Sequence, residues 1–339
     1  MAEGGRPSAL EITGRSVVAI YESGRIEFPP QPSAAARTHD PLRVDSAAVR
    51  PMRRSAIVLF TDSDPLEPRV IVWRGPDETR LPFATALEVA DFLRGSKVVK
   101  VDRKRLPGSS QPHRLLVENG GVRARAVFRT HHREEANGHW ETGEFVAFLR
   151  DTWKNEVAAF DLSRLLGVPR VPPTALWRMK KKEGSLQLWI EKARPGWHFA
   201  EMEKPSDPEL WKKHLDSVRV FDALIYNVDR HELNMLIDAS GRVWWIDHTR
   251  SFGRELELKK PEQIERCERS LWEGLRTVSA EALVTTLRPH MSQHEIDALL
   301  ERRVKLVALL QQRIDEKGEA AVLFDIDETA PLFTVKPVR

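Results

Sequence analysis

The stretch from Val220 to Gly253, VFDALIYNVDRHELNMLIDASGRVWWIDHTRSFG, constrains this chain more than any other. In it an apolar helical pattern stops at a polar cluster and a short hairpin follows at once. With Ser240 and Gly241 as a two-residue turn, the register sets Asn234 opposite Asp247, and both side chains reach the open end of the hairpin. Asp229 lies on the loop entering that same end. Two carboxylates and one amide oxygen are therefore expected to meet. Hard oxygen ligands on an open site suit Mg²⁺ or Mn²⁺ bridging phosphate oxygens. A further carboxylate beside them can orient a hydroxyl and accept its proton, which is the chemistry of phosphoryl transfer. The bland alternative is a helix stop and two hairpin ends, positions that Asp and Asn favour.

Composition narrows the rest. The 339 residues suffice for two structural units or one two-lobed enzyme, and 41% hydrophobic with 30% charged residues is ordinary globular usage. The 53 Lys and Arg against 50 Asp and Glu leave +3, so no nucleic acid partner is expected. The single cysteine, Cys267, cannot form an intramolecular bridge, which fits a reducing, cytoplasmic location. No apolar run approaches the ~20 residues of a transmembrane segment.

Residues 1–54, with Pro29, Pro30, Pro32, Pro41 and Pro51, read as a mostly flexible N-terminal arm with a strand or hairpin near Ser16 to Ile26. From Ser55 a β-rich region begins. SAIVLF and RVIVW read as strands, FATALEVADFLRG as a short helix, and KVVKV as another strand. HRLLVENGGVRARAVFRT reads as a hairpin turning at Asn119 and Gly120, with Arg123, Arg125, Val127 and Arg129 on one face of its second strand. His131, His132 and His139, with Glu134 and Glu135, lie in a segment read as an exposed, solvated insertion, although a metal cluster is the sharper alternative. TWKNEVAAFDLSRLLG reads as a helix closed by Gly167, and PTALWRM with SLQLWIEKA as a hairpin whose lysine-rich tip is solvated. After Lys192 the pattern turns helical, opening with Asp207 as N-cap and Pro208 at the first helical position. Trp244 and Trp245 read as core and lobe-packing residues. His231 and His248 flank the acidic cluster, to orient its loop or to pack.

NVDRHELNMLID followed by WIDHTRSFG resembles the phosphatidylinositol 3-/4-kinase-like branch of the protein-kinase-like superfamily, which includes HipA-type and secretory casein-kinase-type kinases. Protein kinases proper write the loop as H-R-D, whereas this chain has Asp229-Arg230-His231. The resemblance implies an α+β, two-lobed protein-kinase-like fold: a β-rich small lobe over 55–190, a mainly helical large lobe over 191–330 carrying the catalytic hairpin, and a tail over 331–339. It implies Asp229 as catalytic base and Asn234 and Asp247 as metal ligands. Glu156 matches the glutamate that pairs a phosphate-binding lysine, but AVFRT places Arg129 where that lysine belongs. Arginine is longer and planar, so this departure opens the possibility of reduced activity, and the pair also reads as a structural salt bridge. Ser109 and Ser110, in LPGSSQPHR, lie where a phosphate-covering loop is implied, and the groups around Trp189 to Glu191 where a hinge would face adenine.

The implied activity is ATP- and Mg- or Mn-dependent transfer of the γ-phosphate to a hydroxyl acceptor, whether protein, lipid, sugar or small molecule. One alternative is a pseudokinase, a nucleotide-binding or partner-binding module without transfer. Another is a metal-dependent hydrolase with water as nucleophile, for which a second metal cluster is wanted and none is visible.

Overall fold

The computed structural model describes residues 9–13, 16–21, 24–27, 71–103, 106, 111–196, 205–328 and 332. The chain divides into two units, 1–61 and 62–339. In the first, β1 (Ala9–Thr13), β2 (Ser16–Tyr21) and β3 (Gly24–Glu27) form an antiparallel meander, so the expected hairpin near Ser16 has an additional strand before it.

SAIVLF and the start of RVIVW lie outside the described residues. Ile71 to Trp73 form no strand, contrary to the sequence pattern. Trp73 instead buries its ring 5.8 Å from that of Trp244, and its carbonyl accepts the Leu81 N–H after a tight turn. Helix α1 (Ala86–Gly95) starts at a capping box, Thr85 with Glu88, and buries Val89, Ala90, Phe92 and Leu93. Strands β4 (Lys97–Val101), β5 (His113–Asn119) and β6 (Val122–Arg129) follow. The β5–β6 turn is made by Gly120 and Gly121, at φ 58° and 79°, one residue later than expected. A turn with two consecutive positive φ angles favours the glycine pair over Asn119. Ala124, Ala126 and Phe128 enter the core, leaving Arg123, Arg125, Val127 and Arg129 on the opposite face.

The segment read as a solvated insertion is a strand, β7 (His132–His139), paired antiparallel with β8 (Phe145–Thr152). Its side chains are mostly exposed, so it shows no apolar alternation; backbone pairing, not burial, defines it. Helix α2 (Lys154–Leu165) then leads through Gly167, at φ 76°, to β9 (Thr174–Met179) and β10 (Lys182–Leu188). The main sheet has the order β4-β5-β6-β10-β9.

Beyond it come β11 (Arg194–Pro195) and α3 (Pro208–Ile225). Asp207 caps α3 as its sequence suggests, accepting the Leu210 N–H at 2.9 Å. The apolar face of α3, with Leu210, Val218, Phe221, Leu224 and Ile225, is buried, each such side chain contributing about 1.5–3 kcal/mol. Strands β12 (Met235–Ile237) and β13 (Val243–Trp245) complete a small sheet with β11. Next are β14 (Cys267–Glu268), α4 (Arg269–Thr277), α5 (Ala280–Leu287), α6 (Gln293–Lys317), the single turn α7 (Glu319–Val322) and β15 (Leu323–Phe324), which pairs with β14. Antiparallel sheet up to β10 and helices after β11 give the two-part α+β architecture expected.

The hairpin register differs by one residue from expectation. Met235 faces Trp245 and Leu236 faces Trp244, and the Ile246 N–H donates to the Asn234 carbonyl at 3.0 Å. Ser240 and Gly241 do not form a two-residue turn. The Asp238 carboxylate accepts the N–H groups of Ser240 and Arg242, its carbonyl accepts that of Gly241, and Gly241 takes φ 84°. Asn234 therefore opposes Ile246, and Asp247 lies one residue beyond, at φ 60°.

Candidate active site

Helix α3 ends at Tyr226, whose φ of 51° turns the chain into the loop carrying Asp229. The loop is tied at every step. Asn227 donates to Asp222 at 3.0 Å, and its side-chain oxygen accepts the Asp229 N–H at 3.0 Å. Arg230 donates to Asp222 at 2.8 Å and to the carbonyls of Asn234 at 2.6 Å and Ile246 at 2.8 Å. One guanidinium thus joins α3, the loop and both strands at the open end of the hairpin. A charged donor spread over three carbonyl and carboxylate acceptors is worth more than neutral bonds, and here it fixes the loop. The Asp229 side chain keeps 42% exposure, with its nearest cation, Arg250, at 3.7 Å.

Asn234 is buried and donates its amide N–H to the Asp229 carbonyl at 2.9 Å, leaving Oδ1 for another partner. Burial pushes the Asp247 carboxyl up; Arg129 and His248 pull the other way, while the like charges of Glu156 and Asp229 add to the rise. The three hairpin-end residues therefore share one neighbourhood, although by a different register from that read in the sequence. Among the described residues no three His, Cys, Asp or Glu side chains form a cage for a metal. The Asn234 amide oxygen and the Asp247 carboxylate, destabilised as an anion, would supply hard oxygen ligands to a divalent cation, with Asp229 beside them.

Glu156, on α2, is fully buried, and Arg129 approaches it from β6 at 3.5 Å. Arg129 also donates to Gln187 at 3.3 Å; Gln187 donates in turn to Thr174 at 3.0 Å and to Glu156 at 3.4 Å. The His248 backbone N–H donates to Glu156 at 3.1 Å. Burial opposes ionisation of Glu156, but the Arg129 guanidinium and the His248 hydrogen bonds overcome it and hold the carboxyl well below its usual range.

Trp189 and Glu191 lie at the end of β10. The Trp189 N–H is already engaged by the Arg125 carbonyl at 2.9 Å, and Arg114 covers its ring at 4.9 Å. Arg125 binds the Glu191 carboxylate at 2.6 Å; burial pushes that carboxyl up against the pull of Arg125, and its second oxygen has no hydrogen-bond partner. Ser109 and Ser110 lie outside the described residues.

Sequence reasoning missed several residues. Arg250, three positions after Asp247, donates to Asp151 at 2.9 Å and to both Glu141 oxygens at 2.9 Å, and stacks on Trp140 at 4.9 Å. Asn155, beside Glu156, donates to the carbonyls of Thr249 at 2.7 Å and Ser251 at 2.8 Å. Their partners are over ninety residues away for Asn155 and for the Arg250–Asp151 contact, so no local signal marks them. Asp222 and Arg230 sit in the informative stretch itself and were legible as polar residues breaking an apolar pattern.

No protein-family model and no curated protein matches this chain. Solved structures do. A Fam20 protein of hydra, with sugar, aligns over 71% of this chain and 92% of its own, at TM-score 0.51 and 18% identity. A Golgi casein kinase aligns over 70% and 77%, at 0.51 and 17%. A Golgi casein kinase with Mn and ADP bound gives 0.51 and 18%, over 70% and 78%. The fold is kinase-like. Within that kinase-like fold the sheet β4-β5-β6-β10-β9 belongs to the β-rich part and the hairpin β12–β13 to the helical part. Among the described residues no helix is long and apolar enough to cross a membrane.

Proposed function

We propose that this chain is an ATP-dependent phosphotransferase, of the phosphatidylinositol 3-/4-kinase-like branch, that uses Mg²⁺ or Mn²⁺ to move the γ-phosphate of ATP to a hydroxyl acceptor. The observation that carries the proposal is the meeting of Asp229, Asn234 and Asp247 at the open end of one hairpin, beside a buried Arg129–Glu156 pair. Asp229, the most exposed of these groups, orients the acceptor hydroxyl and takes its proton. Asn234 Oδ1 and the Asp247 carboxylate hold the cation, which supplies positive charge to the phosphate oxygens. Arg129, fixed by Glu156 and Gln187, points a guanidinium at the α- or β-phosphate, and Ser109 and Ser110 cover the phosphates. Because the Trp189 N–H is engaged, the free oxygen of Glu191 is the better reader of the adenine amino group at the hinge. The nucleotide lies between the β-rich part that ends near residue 190 and the helical part that begins at 191. A cytoplasmic location is part of the same reading, since a fold with Cys267 as its single cysteine does not depend on an oxidising compartment.

A second reading, a pseudokinase, is favoured by one observation: a guanidinium replaces the lysine and spends its contacts on Glu156 and Gln187. Incubation with γ-labelled ATP and Mn²⁺ or Mg²⁺, with and without an acceptor panel of proteins, lipids and sugars, separates the readings. Transfer that disappears in Asp229→Asn supports the first; a metal-dependent rise in melting temperature without turnover supports the second; loss of both refutes nucleotide binding.

A further inference from the structure

A cavity of about 250 Å³ opens against Asp229, on the side of the loop facing the β7–β8 hairpin. Trp140, Thr142 and Glu144 of the hairpin tip form one wall; Asp229, Ser251, Glu255 and Lys259 belong to the other. Arg250 holds the tip in place through Glu141 and the Trp140 ring while its free end approaches Asp229.

We propose that this cavity is the acceptor site and that it takes a small polyhydroxylated molecule, the size of a single sugar ring or short polyol, in preference to a side chain of a folded protein. This rests on the phosphotransferase reading above. Size is the first argument. At about 250 Å³ the space lies just below the ~300–1,000 Å³ of sites for drug-sized ligands. The second argument is the mixture of uncommitted polar groups. Glu144 and Glu255 have no ion-pair partner within 4.0 Å among the described residues, and one Glu255 oxygen is buried without a hydrogen bond. Lys259 donates to the Asn227 carbonyl at 3.2 Å and meets no carboxylate within ion-pair distance. The Ser251 hydroxyl, on a residue 2% exposed, is buried with no hydrogen-bond partner. A purely cationic or anionic acceptor would satisfy one sign of charge and face the other. Neutral hydroxyls both donate and accept, so several of them satisfy the carboxylates, the ammonium and the serine together. In the transfer, one acceptor hydroxyl loses its proton to Asp229 and its oxygen forms the new bond to the γ-phosphorus. The bond from that phosphorus to the β-phosphate oxygen breaks, ADP leaves with the electron pair, and Asp229 returns the proton to solvent.

The test is a coupled ADP-release assay with labelled-product detection, run with ATP and Mn²⁺ against glycerol, inositol, ribose and glucose in one arm and casein and a serine peptide in the other. Stimulation and labelling by at least one polyol or sugar are expected, with its KM raised about tenfold or more in Thr142→Trp, which fills the cavity from an exposed tip, and in Glu144→Ala. The metal-dependent thermal shift with ATP should be unchanged in both variants. Labelling of casein or peptide alone, or sugar labelling indifferent to both substitutions, overturns the proposal and leaves the phosphotransferase reading standing. Wild-type protein with no metal-dependent ATP binding and no turnover overturns both.

Discussion

Replacing Arg129 by methionine tests the pair on which the β-rich half of the site depends. The Arg129 and Glu156 side chains are 7% and 0% exposed, so solvent screens neither. Removing the cation leaves a buried carboxylate uncompensated, which costs about 3–5 kcal/mol. The His248 N–H at 3.1 Å and Gln187 at 3.4 Å still serve Glu156, which sets the expectation at the lower end, ~3 kcal/mol. At roughly 2–3 °C per kcal/mol for a unit of this size, Arg129→Met should melt about 6–9 °C below wild type at pH 7.5. Adding Glu156→Gln removes the unpaired charge, and the double variant should recover at least half of the loss. It should not recover ATP binding if Arg129 meets a phosphate. Arg129→Lys should retain activity or raise it. Arg123→Ala, exposed on the same strand face, serves as control and should change the midpoint by less than about 1 °C. Scanning calorimetry with and without Mn²⁺ and ATP reads both effects. A single variant melting with wild type, or a double variant no better than the single, would refute the claim that a buried ion pair holds this corner.

Three further outcomes are expected. Asp229→Asn should keep the thermal shift produced by metal and ATP and lose turnover, because the role proposed for it lies in the transfer step; turnover at the wild-type rate would exclude Asp229 as the base. Asp247→Ala should abolish the metal-dependent part of the ATP shift in a folded protein, as read by calorimetry with and without chelator. His214 is buried, and burial first, then Arg170 and Arg242, holds its imidazole down to about 3. The folded state thus binds fewer protons than the unfolded chain between that value and the ordinary ~6.5, so stability falls as pH drops through this window by up to ~1.4 kcal/mol per pH unit. His214→Leu should lose about 1.6 kcal/mol less than wild type between pH 6.5 and 5, measured by urea midpoints; parallel losses would show that His214 is not the group responsible.

The parts of the fold that could be read from sequence were those in which local chemistry and burial agree. Helix α3 is bounded by Asp207 and Pro208 and carries a continuous apolar face, and the structure follows it closely. The β12–β13 hairpin was recognisable, but its register was not, because the deciding group is the Asp238 side chain. Asp at the first turn position and Gly at the fourth favour a longer turn, and that signal stood in DASG beside the shorter SG reading. Strand β7 was invisible because HREEANGH has nothing to bury. Arg129 and Glu156 came from resemblance, and the structure places them 3.5 Å apart. Arg250 and Asn155 could not be found at all: their work is done on chain segments remote in sequence, and only the packed fold shows it.

Those two residues explain why the site is set before any ligand arrives. The Thr152 N–H at the end of β8 donates to the Thr249 carbonyl at 3.0 Å, and Asn155 adds its bonds to Thr249 and Ser251. Glu156 accepts the His248 N–H from the same five-residue segment that begins at Asp247. Arg150 braces Asn155 at 3.0 Å and reaches the His290 carbonyl at 3.1 Å. Swinging α2 outward would strand at least four of these buried groups at once, at about 1–3 kcal/mol each, a sum comparable with the whole stability of a domain. Helix α2 and the Asp247 segment therefore move as one body. Glu156 cannot leave Arg129 unless Asp247 leaves with it, so Glu156 and the hairpin end stay in register with each other. On the other side of Asp229 the tie is lighter: the Arg250 guanidinium holds the β7–β8 tip against the segment bearing Asp247 and brings its open end within 3.7 Å of Asp229.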